Sequence, residues 1–198
     1  FSTVTIASGS NVTLNDANVL DLTAATIGGT LTVTTAGNLT QSGVLTVSGA
    51  ATFAAGAGNN ITLASANNFS TVTIASGSNV TLNDANALDL TAATIGGTLT
   101  VTTAGNLTQS GVLTVSGAAT FAAGAGNNIT LASANNFSTV AIASGSNVTL
   151  NDANVLDLAA STVSGTLTVT TAGNITNSGV LTVSGAATFA AGAGNNIT

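Results

Sequence analysis

The sequence predicts an all-β fold, a right-handed parallel β-helix with about three coils in each 68-residue repeat, and three observations point there. The first is the period itself. The phrase FSTVTIASGSNVTLNDAN opens at Phe1, returns unchanged at Phe69, and returns at Phe137 with Ala141 in place of threonine. A fixed long period marks a solenoid, in which each unit buries its apolar face only by stacking on its neighbours. The second is strict apolar–polar alternation over short segments, the pattern of half-buried strands. The third is a looser theme that recurs three times inside each unit, over 3–20, 30–45 and 51–69.

The first and second copies differ only at Val19 and Ala87, and the third departs from the first at seven mild positions, among them Ile27 to Val163, Leu39 to Ile175 and Gln41 to Asn177. The chain therefore reads as one solenoid built from repeats 1–68, 69–136 and 137–198, the last one truncated. Both ends fall mid-pattern without a polar capping segment, so the expectation is a segment of a longer repetitive chain.

Within the first repeat the alternation places strands at 3–7, 11–15, 19–23, 30–34, 38–41, 44–48, 51–55 and 60–64, with 70–75 opening the next. Three themes in 68 residues give coils of roughly 22 to 23 residues, close to known solenoid units. Nine such coils at about 4.8 Å each would make a rod about 40 Å long. Parallel crossovers favour the right-handed path. The predicted core is Val4, Ile6, Val12, Leu14, Leu20, Leu22, Leu31, Val33, Leu39, Leu45, Val47, Phe53, Ile61, Leu63 and Phe69 with their copies. Each contributes about 1.5–3 kcal/mol when fully buried, against about 1–2 kcal/mol per residue of backbone ordering. The alternate Thr and Ser residues are expected to face solvent. Gly9, Gly37, Gly56 and Gly58 are expected at corners of positive φ. Asn11, Asn38 and Asn60 are expected to share one slot in consecutive coils, stacked as an amide ladder.

Composition excludes whole classes of function. There is no Lys, Arg, His, Glu, Cys or Tyr, and the only ionisable side chains are Asp16, Asp21, Asp84, Asp89, Asp152 and Asp157. Without imidazole, thiol, amine or phenol, general acid–base and nucleophilic chemistry lack their usual groups. Nucleic-acid binding relies on cations to neutralise phosphates. The chain is thus expected to be no enzyme, with no catalytic, cofactor-binding or metal-ligating residue, no cofactor, no nucleic-acid partner and no membrane span. A transmembrane helix needs about 18 or more apolar residues in a row, and Thr, Ser, Asn or Gly interrupts every run well before that. The absence of Lys and Arg also leaves trypsin-like proteases no cleavage site, which suits an extracellular setting.

The wording GTLTVTTAGNLTQSGVLTVSGAATFAAGAGNNITL, followed by NNFSTVTIASGSNVTL, resembles the repeats of large bacterial filamentous-haemagglutinin-like proteins. The likeness covers the entire chain. It implies a long right-handed β-helix secreted through an outer-membrane partner, and a surface fibre or adhesin as the setting.

Three candidate sites compete with plainer readings. The segment NDANVLDL (15–22) carries both carboxylates of a repeat and could offer oxygen ligands to Ca²⁺. A solvated turn explains it better, since equivalent Asp residues lie three coils apart. Eleven N-x-S/T sequons, at Asn11, Asn38, Asn60, Asn68 and their copies, could accept glycans. Turn and ladder roles account for them more simply. Thr-x-Thr pairs such as Thr3/Thr5 and Thr32/Thr34 raise ice binding, but the coil Ala51–Thr52–Phe53–Ala54 is expected to interrupt the array, as does Ala141.

The expected function is structural: a rod segment of a secreted extracellular filament or giant cell-surface protein. It would self-associate end to end or laterally with other copies of the same repeats, through uncharged Thr/Ser/Ala/Asn-rich faces and open strand edges. The alternative is the stalk or binding surface of an adhesin, with a host or surface ligand as partner. An ice-binding β-helix stands third.

Overall fold

The computed structural model describes all 198 residues, Phe1–Thr198. Every regular element is a β-strand, and all named strand pairs are parallel. The chain winds as a β-solenoid of about 10 turns. At about 4.8 Å per turn the rod is about 48 Å long. The first turns contain strands Thr3–Gly9, Val12–Asp16, Leu20–Ile27, Leu31–Thr35, Leu39–Gln41, Leu45–Ala54 and Ile61–Gly77. These match the alternation closely. The differences are the tail of Leu20–Ile27, where Ala25 and Ile27 also turn inward, and two fusions, of 44–48 with 51–55 into Leu45–Ala54 and of 60–64 with 70–75 into Ile61–Gly77.

The coil is shorter than the internal theme suggests. Val12 pairs with Leu31, Leu31 with Ala51, Ala51 with Val72 and Val72 with Leu90, steps of 19, 20, 21 and 18 residues. The steps from Leu39 to Ile61 and from Val47 to Phe69, which include the Gly56–Gly58 corner, reach 22. Register shifts beside Val47, Phe53, Val72 and Ile74 take up the variation. About three coils per repeat holds, with a remainder. Three turns carry Val12 to Val72, and its repeat copy Val80 lies eight residues further on, a little under half of the 18-residue step from Val72 to Leu90. Successive repeats are therefore rotated by nearly half a turn about the rod axis.

The predicted core lies inside except in the last turn, where Leu181, Val183 and Phe189 are only partly covered and Ile197, the copy of Ile61, is exposed. Leu20, Leu22, Leu31, Val33, Leu39, Leu45, Val47, Phe53, Ile61, Leu63 and Phe69 belong to one continuous apolar cluster of 44 buried residues. Val4, Ile6, Val12 and Leu14 are only partly buried in the first turn, whereas their copies Val72, Ile74, Val80 and Leu82 are fully covered. Phe53 and Phe69 meet edge to face at 5.8 Å, as do Phe121 and Phe137 at 5.9 Å. Such pairs add about 0.5–1.5 kcal/mol beyond the area they bury. Ala51 and Ala55, which share the inward parity of Phe53, are fully buried as well.

The glycines work differently from the expectation. Of the four corner positions, only Gly56 and its copies Gly124 and Gly194 have positive φ, near +80°. Gly37 is needed for close approach instead, since a Cβ there would lie 2.6 Å from the Val19 backbone nitrogen in the coil below. Gly43 is tighter still, with its would-be Cβ 1.2 Å from the Thr23 carbonyl oxygen. Gly58 faces open space. Corners are set as much by coil-to-coil contact as by backbone conformation.

Val101, fully buried, and Thr100 beside it, facing outward, differ only in strand parity. Val101→Asp should cost several kcal/mol through an unpaired buried charge, while Thr100→Asp should cost about 1 kcal/mol or less. Thermal melts followed by circular dichroism read the difference, and equal tolerance would refute the register. In the same assay Gly43→Ala should lower the melting midpoint strongly, and Gly58→Ala should leave it unchanged.

Candidate functional site

Two features stand out from the plain coil: outward ranks of threonine and a polar cluster buried within the rod.

The ranks follow from alternation carried through the inter-coil register. Thr13, Thr32, Thr52 and Thr73 stand one above another in four consecutive coils. Thr62, Thr81, Thr100 and Thr120 form a second rank, and Thr130, Thr149, Thr168 and Thr188 a third. β-Branched side chains suit such a pleated, half-buried surface. Thr52 stays in line above Thr32, but Ala54 stands above Thr34, so the coil from Ala51 to Ala54 breaks the paired Thr-x-Thr array as expected and leaves a single rank. Two departures keep the ranks single file: Thr120 is followed by Ala141, and the neighbouring outward row runs Asn15, Thr34, Ala54.

Asparagines line one corner. Asn60 N–H donates to Asn38 Oδ1 at 2.9 Å, Asn79 N–H and Nδ2 donate to Asn60 Oδ1 at 3.1 Å, and Thr98 N–H and Oγ1 donate to Asn79 Oδ1 at 3.0 Å. The amide ladder exists, but its third member is Asn79, the repeat copy of Asn11. Asn11 itself receives Thr30 N–H at 2.9 Å, in a different line. The near-half-turn advance of the repeat is the cause. Asn106, Asn128, Asn147 and Thr166 rebuild the same ladder one repeat later.

The carboxylates divide into two kinds. Asp21 is half-buried and accepts from Thr40 Oγ1 at 3.1 Å and from the Ser42 hydroxyl in the next coil. Asp89 and Asp157 do the same with Thr108 and Ser110, and with Thr176 and Ser178. The other kind is not the solvated turn that was expected. Asp84 and Asp152 are 2% and 1% exposed. Asp84 accepts Phe69 N–H at 2.8 Å and Asn86 N–H at 3.0 Å, and Asp152 accepts Phe137 and Asn154 N–H at the same distances. These carboxylates close a corner from within. Burial pushes both carboxyls above their ordinary range, and the backbone donors only partly offset it. Asp16 accepts from the Phe1 amino group instead, which holds its carboxyl below that range.

One coil beneath Asp84 sits Asn67, with no exposed surface. Its Oδ1 accepts Leu45 N–H at 2.9 Å and the Gln41 amide, while its Nδ2 donates to Gln41 Oε1 at 3.2 Å and Asn83 O at 3.1 Å. Gln109 and Asn135 repeat the arrangement. No buried side-chain nitrogen or oxygen in the chain lacks a partner. Sequence reading missed Asn67, although counting by twos from Leu63 through Ser65 turns it inward with Phe69. Thr35, Thr103 and Thr171 were also missed as inward residues, and each hydroxyl donates to the carbonyl two residues on.

The geometry is thus that of a β-solenoid repeat protein whose polar groups serve the coil. The family of repeats of unknown function (DUF5649) matches residues 9–76, 77–144 and 145–198, and the chain belongs to it. No curated protein and no solved structure matches.

Asn67→Ala should strand Leu45 N–H and the Gln41 amide, costing about 1–3 kcal/mol, whereas Asn68→Ala beside it should be mild; denaturant titration reads both. The buried carboxylates give a pH signature. With folded pKa values above the unfolded ones, Asp84 and Asp152 take up protons first in the native state. Stability should rise as pH falls through that window, and fall again as pH rises past the folded values. Replacing both by Asn should flatten the slope, and an unchanged slope would refute the assignment.

Proposed function

We propose that the chain is a structural rod segment of a secreted extracellular filament or giant cell-surface protein, in which length and stiffness are the function. One observation carries this reading: consecutive repeats continue the same parallel ladder and the same apolar interior without a break, so tandem copies lengthen one rod. Supporting it, the surface rows recur from repeat to repeat and no side chain departs from the period to build a distinct site. The filamentous-haemagglutinin-like wording of the repeats favours the cell surface or extracellular space as the location, and a bacterial source. It also keeps an adhesin stalk as the second reading, since a stalk needs the same rod.

Electron microscopy of the native material separates these. Fibres composed mainly of this repeat are expected. Single rods ending in a non-repetitive head would transfer the reading to an adhesin stalk, and the absence of rods would overturn both.

A further inference from the structure

The near-half-turn advance of each repeat has a consequence for the outer surface. Val12 and its copy Val80 lie three turns and eight residues apart, so the rank Thr13–Thr32–Thr52–Thr73 and the rank Thr62–Thr81–Thr100–Thr120 stand close to opposite sides of the rod. A further repeat returns the rank to the first side. Thr71, Asp89 and Thr108 are aligned there, and Leu107 pairs with Ile129 beside Thr130, the first residue of the third rank. The rod therefore displays one surface twice, on two sides, related by a screw along its axis.

We propose that these two opposite threonine-ranked faces are a lateral self-association surface, each rod taking a second copy of the same chain on either side. The inference rests on the structural-rod reading above and names its partner. Three properties of the face select a copy of the chain as the occupant. Its side chains are short, Thr with Ser, Ala and Asn between them, so two such sheets can close to the roughly 10 Å spacing of stacked β-sheets. It is nearly free of charge, with no cation on the chain and one carboxylate per repeat, Asp21, Asp89 or Asp157, already bound by hydroxyls of the next coil. Its size is sufficient. About ten coils at about 4.8 Å, by a strand of about five residues at about 3.3 Å, give a face of roughly 800 Å², and a stable interface buries about 800 Å² per partner.

Two-sided display also decides the form of the assembly. A single self-complementary patch closes into a dimer, whereas a patch repeated on the opposite side leaves a free face after each addition. Growth is then open and produces a layer one rod thick. The screw places equivalent surface on the two sides about 3.4 coils apart, roughly 16 Å, so neighbours in the layer are staggered by that amount.

The test uses the whole chain and one lysine per rank, which avoids like charges in adjacent coils. Thr100→Lys blocks one side, and Thr32→Lys with Thr168→Lys blocks the other. The control carries lysine at Ala57, Ala125 and Ala193, which project at exposed corners. Negative-stain microscopy and light scattering should show layers for the parent and the control, paired rods for either one-sided variant, and single rods when both sides are blocked. Circular dichroism should be unchanged throughout. Thr100→Gln repeats the test with a longer neutral side chain if lysine disturbs the coil. A parent that stays as single rods at high concentration would overturn the lateral contact and leave the rod intact. A one-sided variant that still forms layers would overturn the two-faced assignment, and a chain that forms no rod would fail the earlier reading instead.

Discussion

The parallel hydrogen-bond ladder between coils is the constraint on which everything else depends. A solenoid has few contacts that are distant along its axis, so each coil is held by the two it touches. Backbone donors and acceptors at every corner must also find partners one coil away. Leu39 N–H to Asn60 O, Ile61 N–H to Asn79 O and Val80 N–H to Thr98 O show the ladder passing through a corner without interruption. Side chains then complete what the backbone cannot. The asparagine corner supplies acceptors in line with the axis, and Asp84 and Asp152 supply them from inside.

Those interior carboxylates illustrate a local cost accepted for closure. A buried carboxylate loses hydration, and two backbone N–H groups return only part of it. In exchange, the chain turns at Asp84 with Phe69 and Asn86 fixed to a single side chain. Gln41, Asn67 and Leu45 make a comparable neutral junction one coil below. The neutral junction occurs at Asn67 and Asn135, near the register shifts, where regular pairing of strands is least able to hold the path. The third repeat shows the same economy. Ser161 replaces the inward alanine found at Ala25, and its hydroxyl both accepts Ile142 N–H and donates to Ala159 O.

Much of this was legible in the alternation. The inward apolar residues, the strand positions to within a residue or two, and the parallel stacking all follow from side-chain parity and the long period. What escaped was polar or positional. Asn67 and Asp84 share the parity of core residues, but their chemistry suggests a turn, and only a neighbouring coil reveals their donors and acceptors. Gly37 reads as a corner of positive φ, whereas the need for it, as for Gly43, comes from a backbone lying against it in the coil below. Asn11 was assigned to the wrong line because a theme-by-theme alignment assumes equal coils.

That last error separates the two sources of information. The order of residues by itself determined that the chain coils, which side chains point inward, and that successive repeats extend one rod, because parity and period are local properties of a strand. The tertiary structure alone decided the phase between repeat and coil. Turn length depends on corner size, on bulges and on how closely one backbone approaches the next. Three complete turns and nearly half of another per repeat emerge only when those contacts are summed around the closed path.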